Sequence, residues 1–422
     1  MNMPVSTASS ERLKLTRFQN LCMQLLLRQL EAIREGCLIL QIRDSEPLTL
    51  GQPDHPFKVR LMVNDPHFFE SVIFAGSVGA AESYMEGHWH SDNLTALIQL
   101  LVRNRDLVDG MEKGLARVTG WLLQGVHWFR RNTRTGSRKN IAAHYDLGNA
   151  LFELFLDRDF MMYSSGLYYS DNESLERAQF NKLGRLCDKL DLQPDDHLLE
   201  IGTGWGGCAT FAAMNYGCRV TTTTISREQY EHAVKRVEEL DLEDKVTVLL
   251  QDYRDLKGQF DKLISIEMVE AVGHHFIDDY FKHCSQLLKP DGLAIIQAIT
   301  LEDHRYQQAV KSVDFIKRYI FPGSFIPCVS VLVNSAAKAE LKLTNLEDIG
   351  PSYATTLKTW RERFMAQLDE VRRLGYDERF IRMWEFYLCY CEGGFIERSI
   401  SDVHLLFSKP ANKREQWVPL DA

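Results

Sequence analysis

The stretch Leu198-Leu199-Glu200-Ile201-Gly202-Thr203-Gly204-Trp205-Gly206-Gly207 constrains this chain more than any other: an apolar run passes through an acidic residue into four glycines and then a small-residue helix. Glycine is needed there because the backbone must turn sharply and come close to a ligand, and because the next helix packs tightly on the strand. The pattern therefore calls for a Rossmann-like α/β unit that holds a nucleotide cofactor at Gly202, Gly204 and Gly206. Gly202, Gly204 and Gly207 also satisfy G-x-G-x-x-G, the dinucleotide spacing. That motif wants an acidic residue about 20 positions on for the ribose, yet the second strand ends in the run Thr221 to Thr224. Glu200 instead precedes the first glycine, where a carboxylate suits the ammonium of an amino-acid moiety. The combination favours S-adenosylmethionine (SAM) over NAD or FAD.

Around this loop the pattern alternates strand and helix. Strands are expected at 197–202, 218–224, 245–251, 261–267 and 293–299, with helices at 207–216, 227–240 and 276–289. Alternation of this kind implies a parallel, doubly wound sheet whose ligands bind at the carboxyl ends of the strands. Residues 341–346 and 402–408 supply two further strands, and 302–338 form an apolar, aromatic insertion suited either to cover a greasy substrate or simply to pack as a helical excursion. Upstream, 12–35 read as a helix and 37–42 and 57–63 as short strands. The expected organisation is a small N-terminal α/β domain to residue 105, a basic helical linker over 106–140, a SAM-binding domain over 141–410 and a tail over 411–422.

At 422 residues with 45% hydrophobic and 25% charged residues, two globular domains are the natural expectation. A net charge of −9 argues against nucleic acid as a partner, because phosphates demand a basic face. The linker is the exception: Arg130, Arg131, Arg134, Arg138 and Lys139 suit anionic headgroups or simply a solvated connector. Nine cysteines without C-x-x-C pairs point to a reducing, cytoplasmic compartment. The first ten residues have no apolar core of a secretory signal, and 71–81 is too short to span a bilayer.

Strand ends carry the candidate chemistry. Thr224 and Gln229 flank the second strand and suit the ribose or methionine end of SAM; Asp252 and Tyr253 close the third and suit adenine, by accepting from its amino group and stacking on its ring. The fourth ends in Glu267-Met268-Val269-Glu270, two carboxylates in an apolar frame, which marks a catalytic candidate. The pairs His274-His275 and His88-His90 lack further ligands, so no metal is expected.

The segments 140–149, 162–166 (Met-Tyr-Ser-Ser-Gly), 200–207, 224–229, 251–255, 317–322 and 353–357 stand in the order and wording of the cyclopropane-fatty-acyl-phospholipid synthase family, which the chain resembles over about 140–410. The resemblance implies SAM-dependent methylation of a cis double bond in a phospholipid acyl chain, at the inner face of the membrane, by a homodimer. It places Tyr163 and Ser164 at the cofactor. It also implies a bound bicarbonate ion that takes a proton from the new methyl group, held by Glu270 and Tyr353. Ser165 stands where many members have Cys, and Gln297 where bacterial members often have His. Both can still donate to an oxyanion. The departures leave cyclopropane, methylene, methyl-branched and furan-bound products open. Cys391 aligns with a family cysteine once proposed as a nucleophile, but alkene methylation needs no thiolate, so a structural role is expected. Other readings are a methyltransferase for a small or carrier-bound acceptor, and a non-catalytic SAM- or lipid-binding homologue.

Overall fold

The computed structural model describes residues 15–107, 109 and 148–415. The cationic cluster 130–139 and the start of the motif at 140 lie outside these residues. The chain divides into two compact units, Met1–Leu122 with Asp377–Gly393, and Leu123–Tyr376 with Gly394–Ala422.

In the first unit, helix α1 (Arg17–Leu30) begins at Thr16, whose hydroxyl accepts from the Gln19 amide while the Gln19 side chain returns the bond, a reciprocal cap that starts the helix. Strands β1 (Cys37–Ile42), β2 (Leu48–Gly51), β3 (Lys58–Val63) and β4 (Trp89–Ser91) form a sheet in the order β2-β1-β3-β4, with β1 and β3 parallel. Helices α2 (His67–Met85) and α3 (Leu94–Arg103) complete it. The distant stretch Asp377–Gly393 joins this unit: Tyr84 Oη donates to Glu385 (2.7 Å), Thr95 Oγ1 to Glu392 (3.0 Å) and Arg379 Nε to Glu86 (2.7 Å).

The second unit is the expected doubly wound sheet. Strands β5 (His197–Ile201), β6 (Arg219–Thr224), β7 (Val246–Leu250), β8 (Phe260–Ile266), β9 (Leu288–Leu301), β10 (Lys342–Asp348) and β11 (Ile400–Ser408) run in the order β10-β11-β9-β8-β5-β6-β7. Strands β9, β8, β5, β6 and β7 are mutually parallel, and β10 and β11 are antiparallel additions at one edge. Helices α4 (Leu175–Lys189), α5 (Gly207–Tyr216), α6 (Arg227–Glu239), α7 (Ile277–Leu287) and α8 (Val329–Lys338) cover the sheet, and α9 (Gly350–Ala366) carries Tyr353. The apolar core is in two clusters, one centred on β8, β9, α7 and α8 and the other on α4, α5 and β5. A last helix, α10 (Glu378–Ile396), carries Cys391 in the part that belongs to the first unit.

The insertion between β9 and β10 consists of a short turn over Asp303–Arg305, a helix over Tyr306–Lys311, a π-helical turn over Ile316–Ile320 and α8. It is fastened to the sheet's carboxyl end by backbone bonds, Phe325 N to Glu270 O (3.1 Å) and Leu301 N to Pro327 O (3.0 Å).

Candidate active site

The glycine loop follows β5. Gly202, Gly204 and Gly206 all have positive φ (104°, 53° and 86°), so the turn needs conformations that side-chain-bearing residues rarely adopt. A Cβ on Gly207 would lie 2.2 Å from the Phe160 carbonyl oxygen, which fixes glycine by contact; a Cβ on Gly204 would meet nothing within 4 Å among the described residues. That open side is where a ligand can approach the backbone. Under the loop, Glu200 is 2% exposed and accepts from Thr222 Oγ1 (2.6 Å), and Thr222 in turn bonds Thr203 (2.7 Å). Burial raises the Glu200 carboxyl to about 7, with Thr222 and Cys208 opposing the rise. The structure thus holds Glu200 as a brace between β5, β6 and the loop.

The next strand ends supply the expected neighbours. Thr224 Oγ1 donates to Gln229 Oε1 (2.9 Å), a bond that fixes the amide and leaves its NH2 to donate elsewhere. Past β7, the Asp252 carboxylate accepts from Arg254 N (3.0 Å), Nε (2.8 Å) and Nη2 (2.6 Å), so it caps a short turn as well as ending the strand. Tyr253 packs edge-on against Tyr280 at 5.6 Å between ring centres. Because β5, β6 and β7 are adjacent and parallel, these groups stand along one edge of the sheet.

A second group of residues sits at the ends of β8, β9 and β11. Here the structure redistributes the expected partners. Tyr353 Oη donates to Glu267 Oε2 (2.6 Å), while Ser165 N (2.8 Å) and Gln297 Nε2 (2.9 Å) donate to Glu267 Oε1. Tyr353, expected beside Glu270, is therefore on Glu267. The cause is local: the chain leaves β8 through Glu267 in a left-handed conformation (φ 47°) and enters a tight turn over Val269–Ala271, which separates the two carboxylates. Glu270 Oε1 instead accepts from Ile299 N (2.5 Å), and its Oε2 is buried without a hydrogen-bond partner among the described residues. Ser165 uses its hydroxyl on the Gly166 carbonyl (2.8 Å), so its backbone N–H is the group that serves the site.

Asp402 and Lys182 join this cluster. Gln297 Nε2 also donates to Asp402 Oδ2 (2.7 Å), and Lys182 Nζ donates to Ser164 Oγ (2.8 Å); Gln297, Asp402 and Lys182 are all 0% exposed. Strand register brings the carboxylates together: Ile266 pairs Gln297 across β8 and β9, and Ile299 pairs Asp402 across β9 and β11. Burial raises all three carboxyls; Glu270 reaches about 8 with the Glu267 charge adding to the rise, and Asp402 goes well above the carboxylate range. Tyr353, the Ser165 N–H and Lys182 oppose the rise at Glu267. Three carboxyls with one buried lysine cannot all ionise, so the negative charge settles on Glu267, the member with three donors, and the neighbours keep their protons.

Aromatic rings wall this region. Tyr163 lies 5.1 Å from Phe152, 5.3 Å from Trp360 and 6.3 Å from Phe321 of the insertion, and Tyr353 lies 4.4 Å from Phe395. Segment 164–168 is fastened to α9 by Gly166 N to Thr356 (3.1 Å) and Tyr168 N to Ser352 (3.1 Å), which keeps Ser165 facing the same cluster as Tyr353. Cys391, half-buried on α10, belongs to the other unit and is not part of this cluster. Asp402 and Lys182 have a sequence signal in hindsight. Asp402 interrupts a strand of Val403, Leu405 and Phe407, and Lys182 occupies the buried stripe Leu175, Ala178, Lys182, Leu186 of α4.

A parallel sheet with a left-handed glycine loop after its first strand, and polar groups at successive strand ends, defines a Rossmann-like SAM-dependent methyltransferase. The particular family is given by comparison. The family model described as mycolic acid cyclopropane synthetase matches residues 132–405, and the chain belongs to that family. It is 38% identical over 357 residues to the cyclopropane-fatty-acyl-phospholipid synthase of Escherichia coli, covering 83% of this chain and 87% of the relative. It is also 38% identical over 332 residues to the tuberculostearic acid methyltransferase UfaA1 of Mycobacterium tuberculosis, covering 76% of each. Among solved structures, the cyclopropane synthase MmaA2 from Mycobacterium tuberculosis superposes with a TM-score of 0.60 at 30% identity, over 64% of this chain and 98% of that one. The mycolic acid cyclopropane synthase CmaA1, solved with SAH and CTAB, gives 0.60 at 28% identity, over 64% and 98%.

Proposed function

We propose that this protein transfers a methyl group from SAM to the cis double bond of an unsaturated acyl chain in membrane phospholipid and closes a cyclopropane ring. The observation that carries the proposal is the carboxylate cluster at the ends of β8, β9 and β11, set within an aromatic wall on the same sheet edge as the glycine loop. The residues fit SAM: Gly204 leaves its Cβ side open, and Gln229 offers a fixed donor. SAM supplies an electrophilic methyl when bound. An isolated alkene is a weak nucleophile, so the chain's own task is to hold it in line within a water-poor slot. Methyl addition leaves a carbocation, which the faces of Tyr163, Trp360 and Phe321 suit. Ring closure then needs a proton acceptor. The resemblance names bicarbonate; Tyr353, Ser165 N and Gln297, the donors it would use, bear on Glu267 in this structure.

The first unit is read as the lipid-engaging part. Phe18, Leu21 and Leu25 share one exposed face of α1, with Phe18 50% and Leu21 53% exposed, while Cys22, Leu26 and Leu30 fill the buried face. Phe74 of α2 lies against Phe18 at 5.8 Å and extends this exposed apolar surface. A helix apolar on two sides suits contact with acyl chains at a membrane surface. Among the described residues no helix is long and apolar enough to cross a membrane. The reading is completed by a cytoplasmic location at the inner membrane face and a homodimer, both drawn from the family resemblance. Mass spectrometry of phospholipids from cells making the protein tests the activity. A gain of CH2 per unsaturated chain, with cyclopropyl protons by NMR, is expected; a gain of CH4 indicates a saturated methyl branch and overturns ring closure. Unchanged lipids from cells in which the protein is folded and binds S-adenosylhomocysteine overturn the activity itself.

A further inference from the structure

We propose that Glu267 is a built-in base: its carboxylate, held by Tyr353, the Ser165 amide and Gln297, takes the proton that ring closure releases, and no bicarbonate ion is required. This rests on the function proposed above.

The geometry accounts for the three donors expected of an oxyanion site, Tyr353, Ser165 and Gln297. A small oxyanion at this place would need several hydrogen bonds to be held in its ionised form. Tyr353 Oη (2.6 Å), Ser165 N (2.8 Å) and Gln297 Nε2 (2.9 Å) are all committed to the two Glu267 oxygens. Glu267 is tethered as well, since its own N–H donates to the Gln297 carbonyl (2.9 Å). The remaining carboxylates do not compete: Asp402 shares the Gln297 amide, and Glu270 is bound to Ile299 N (2.5 Å). Only one negative charge need be present; Lys182 is the buried basic group beside it, its pKa lowered by burial while the Glu267 charge opposes that fall.

Backbone conformation adds a second, independent observation. Glu267 has a φ of 47°, in the left-handed region that an ordinary side chain occupies at a cost. Residues held in such conformations are strained and cluster at sites where the strained geometry is used. At a position that glycine would occupy without strain, the chain places a carboxylate that receives three hydrogen bonds.

The step balances. The alkene π electrons form the bond to the incoming methyl, and the sulfonium leaves as a neutral thioether. Glu267 then removes a proton from that methyl; the C–H electron pair closes the ring onto the cationic carbon, and the proton ends on the Glu267 carboxyl. It returns to water when the products leave.

The test exploits the φ value. Glu267→Gly removes the carboxylate while relieving the backbone, so the variant keeps its fold and its affinity for S-adenosylhomocysteine by calorimetry. It also leaves three donors around an empty space of carboxylate size. In bicarbonate-free buffer the native enzyme is expected to keep its full rate of lipid methylation and to show no broadening of ¹³C-bicarbonate in NMR. Without bicarbonate, Glu267→Gly loses about 10²–10⁴-fold in rate, the usual contribution of a positioned base. Added bicarbonate binds this variant, seen as line broadening, and restores most of the rate. A native enzyme that methylates lipid only with bicarbonate present, or a Glu267→Gly variant that keeps the native rate without it, overturns the inference while leaving the proposed function intact. A native protein that binds S-adenosylhomocysteine and methylates no unsaturated lipid overturns that function, and the inference with it.

Discussion

Two glutamates three residues apart, Glu267 and Glu270, were both visible as carboxylates in an apolar frame, but their division of labour was not. Spacing gives their identity; the left-handed turn at Glu267 decides which one meets Tyr353, and a φ angle is not written in a glutamate. Asp402 was similarly hidden, because it reaches the site only through pairing of β11 with β9, about a hundred positions earlier in the chain. The raised carboxyls have a consequence for stability. Glu270 stands at about 8 and Glu200 at about 7 in the folded protein, against an ordinary 4.5. Below the ordinary value both are neutral in either state. As pH climbs past it, the unfolded chain releases these protons and the folded protein does not, so stability is lost progressively until the folded values are passed. In ligand-free protein the urea midpoint is expected to fall between about pH 5 and about pH 9, with a smaller fall in Glu270→Gln. Equal slopes for the two proteins would show that Glu270 ionises normally.

At the scale of elements, β5 to β9 and the helices between them were legible because their apolar runs and glycine punctuation are local signals. The short strands β2 and β4 and the interior of the insertion were not, since their order comes from tertiary contacts such as Phe325 N on the Glu270 carbonyl. The loop after β5 separates two kinds of glycine. Gly207→Ala brings a Cβ to 2.2 Å from the Phe160 carbonyl, so the backbone must shift and thermal stability should fall markedly. Gly204→Ala meets no atom of the described residues within 4 Å and costs its left-handed conformation, about 1–2 kcal/mol. It nonetheless fills the side proposed for SAM, and calorimetry should show at least about tenfold weaker S-adenosylhomocysteine binding, equivalent to 1.4 kcal/mol. Unimpaired binding by a folded Gly204→Ala would place the cofactor elsewhere.

For the molecule as a whole, lipid contact is assigned to the first unit, and the exposed face of α1 is where it can be tested. Phe18 and Leu21 are about half exposed, so replacing them by Ser should lower the melting temperature far less than a core change and leave S-adenosylhomocysteine affinity unaltered, whereas sedimentation with phospholipid vesicles should fall. Charge reversal at Arg130, Arg131 and Arg134 should weaken the same sedimentation mainly at low salt, because headgroup attraction is screened within a Debye length of about 8 Å at physiological ionic strength. Sedimentation unaffected by either change would remove this unit and the connector from membrane contact. Length and composition suggest two domains, but the return of Asp377–Gly393 to the first unit is not legible in the sequence, since it depends on contacts such as Tyr84 with Glu385 and Thr95 with Glu392, about 300 positions apart.

That return sets the order in which the protein can be made. Ribosomes deliver residues in sequence, and the first unit lacks a helix until Gly393 has emerged, after nearly all of the second has been synthesised. Until then Tyr84, Thr95 and Ile98 have no α10 to receive them, although Glu385, Glu392 and the close-packed Gly393 are their partners in the finished protein. The first unit therefore gains α10 only after most of the second has been synthesised, so a nascent chain carries an unfinished first unit until its methyltransferase sheet is almost complete.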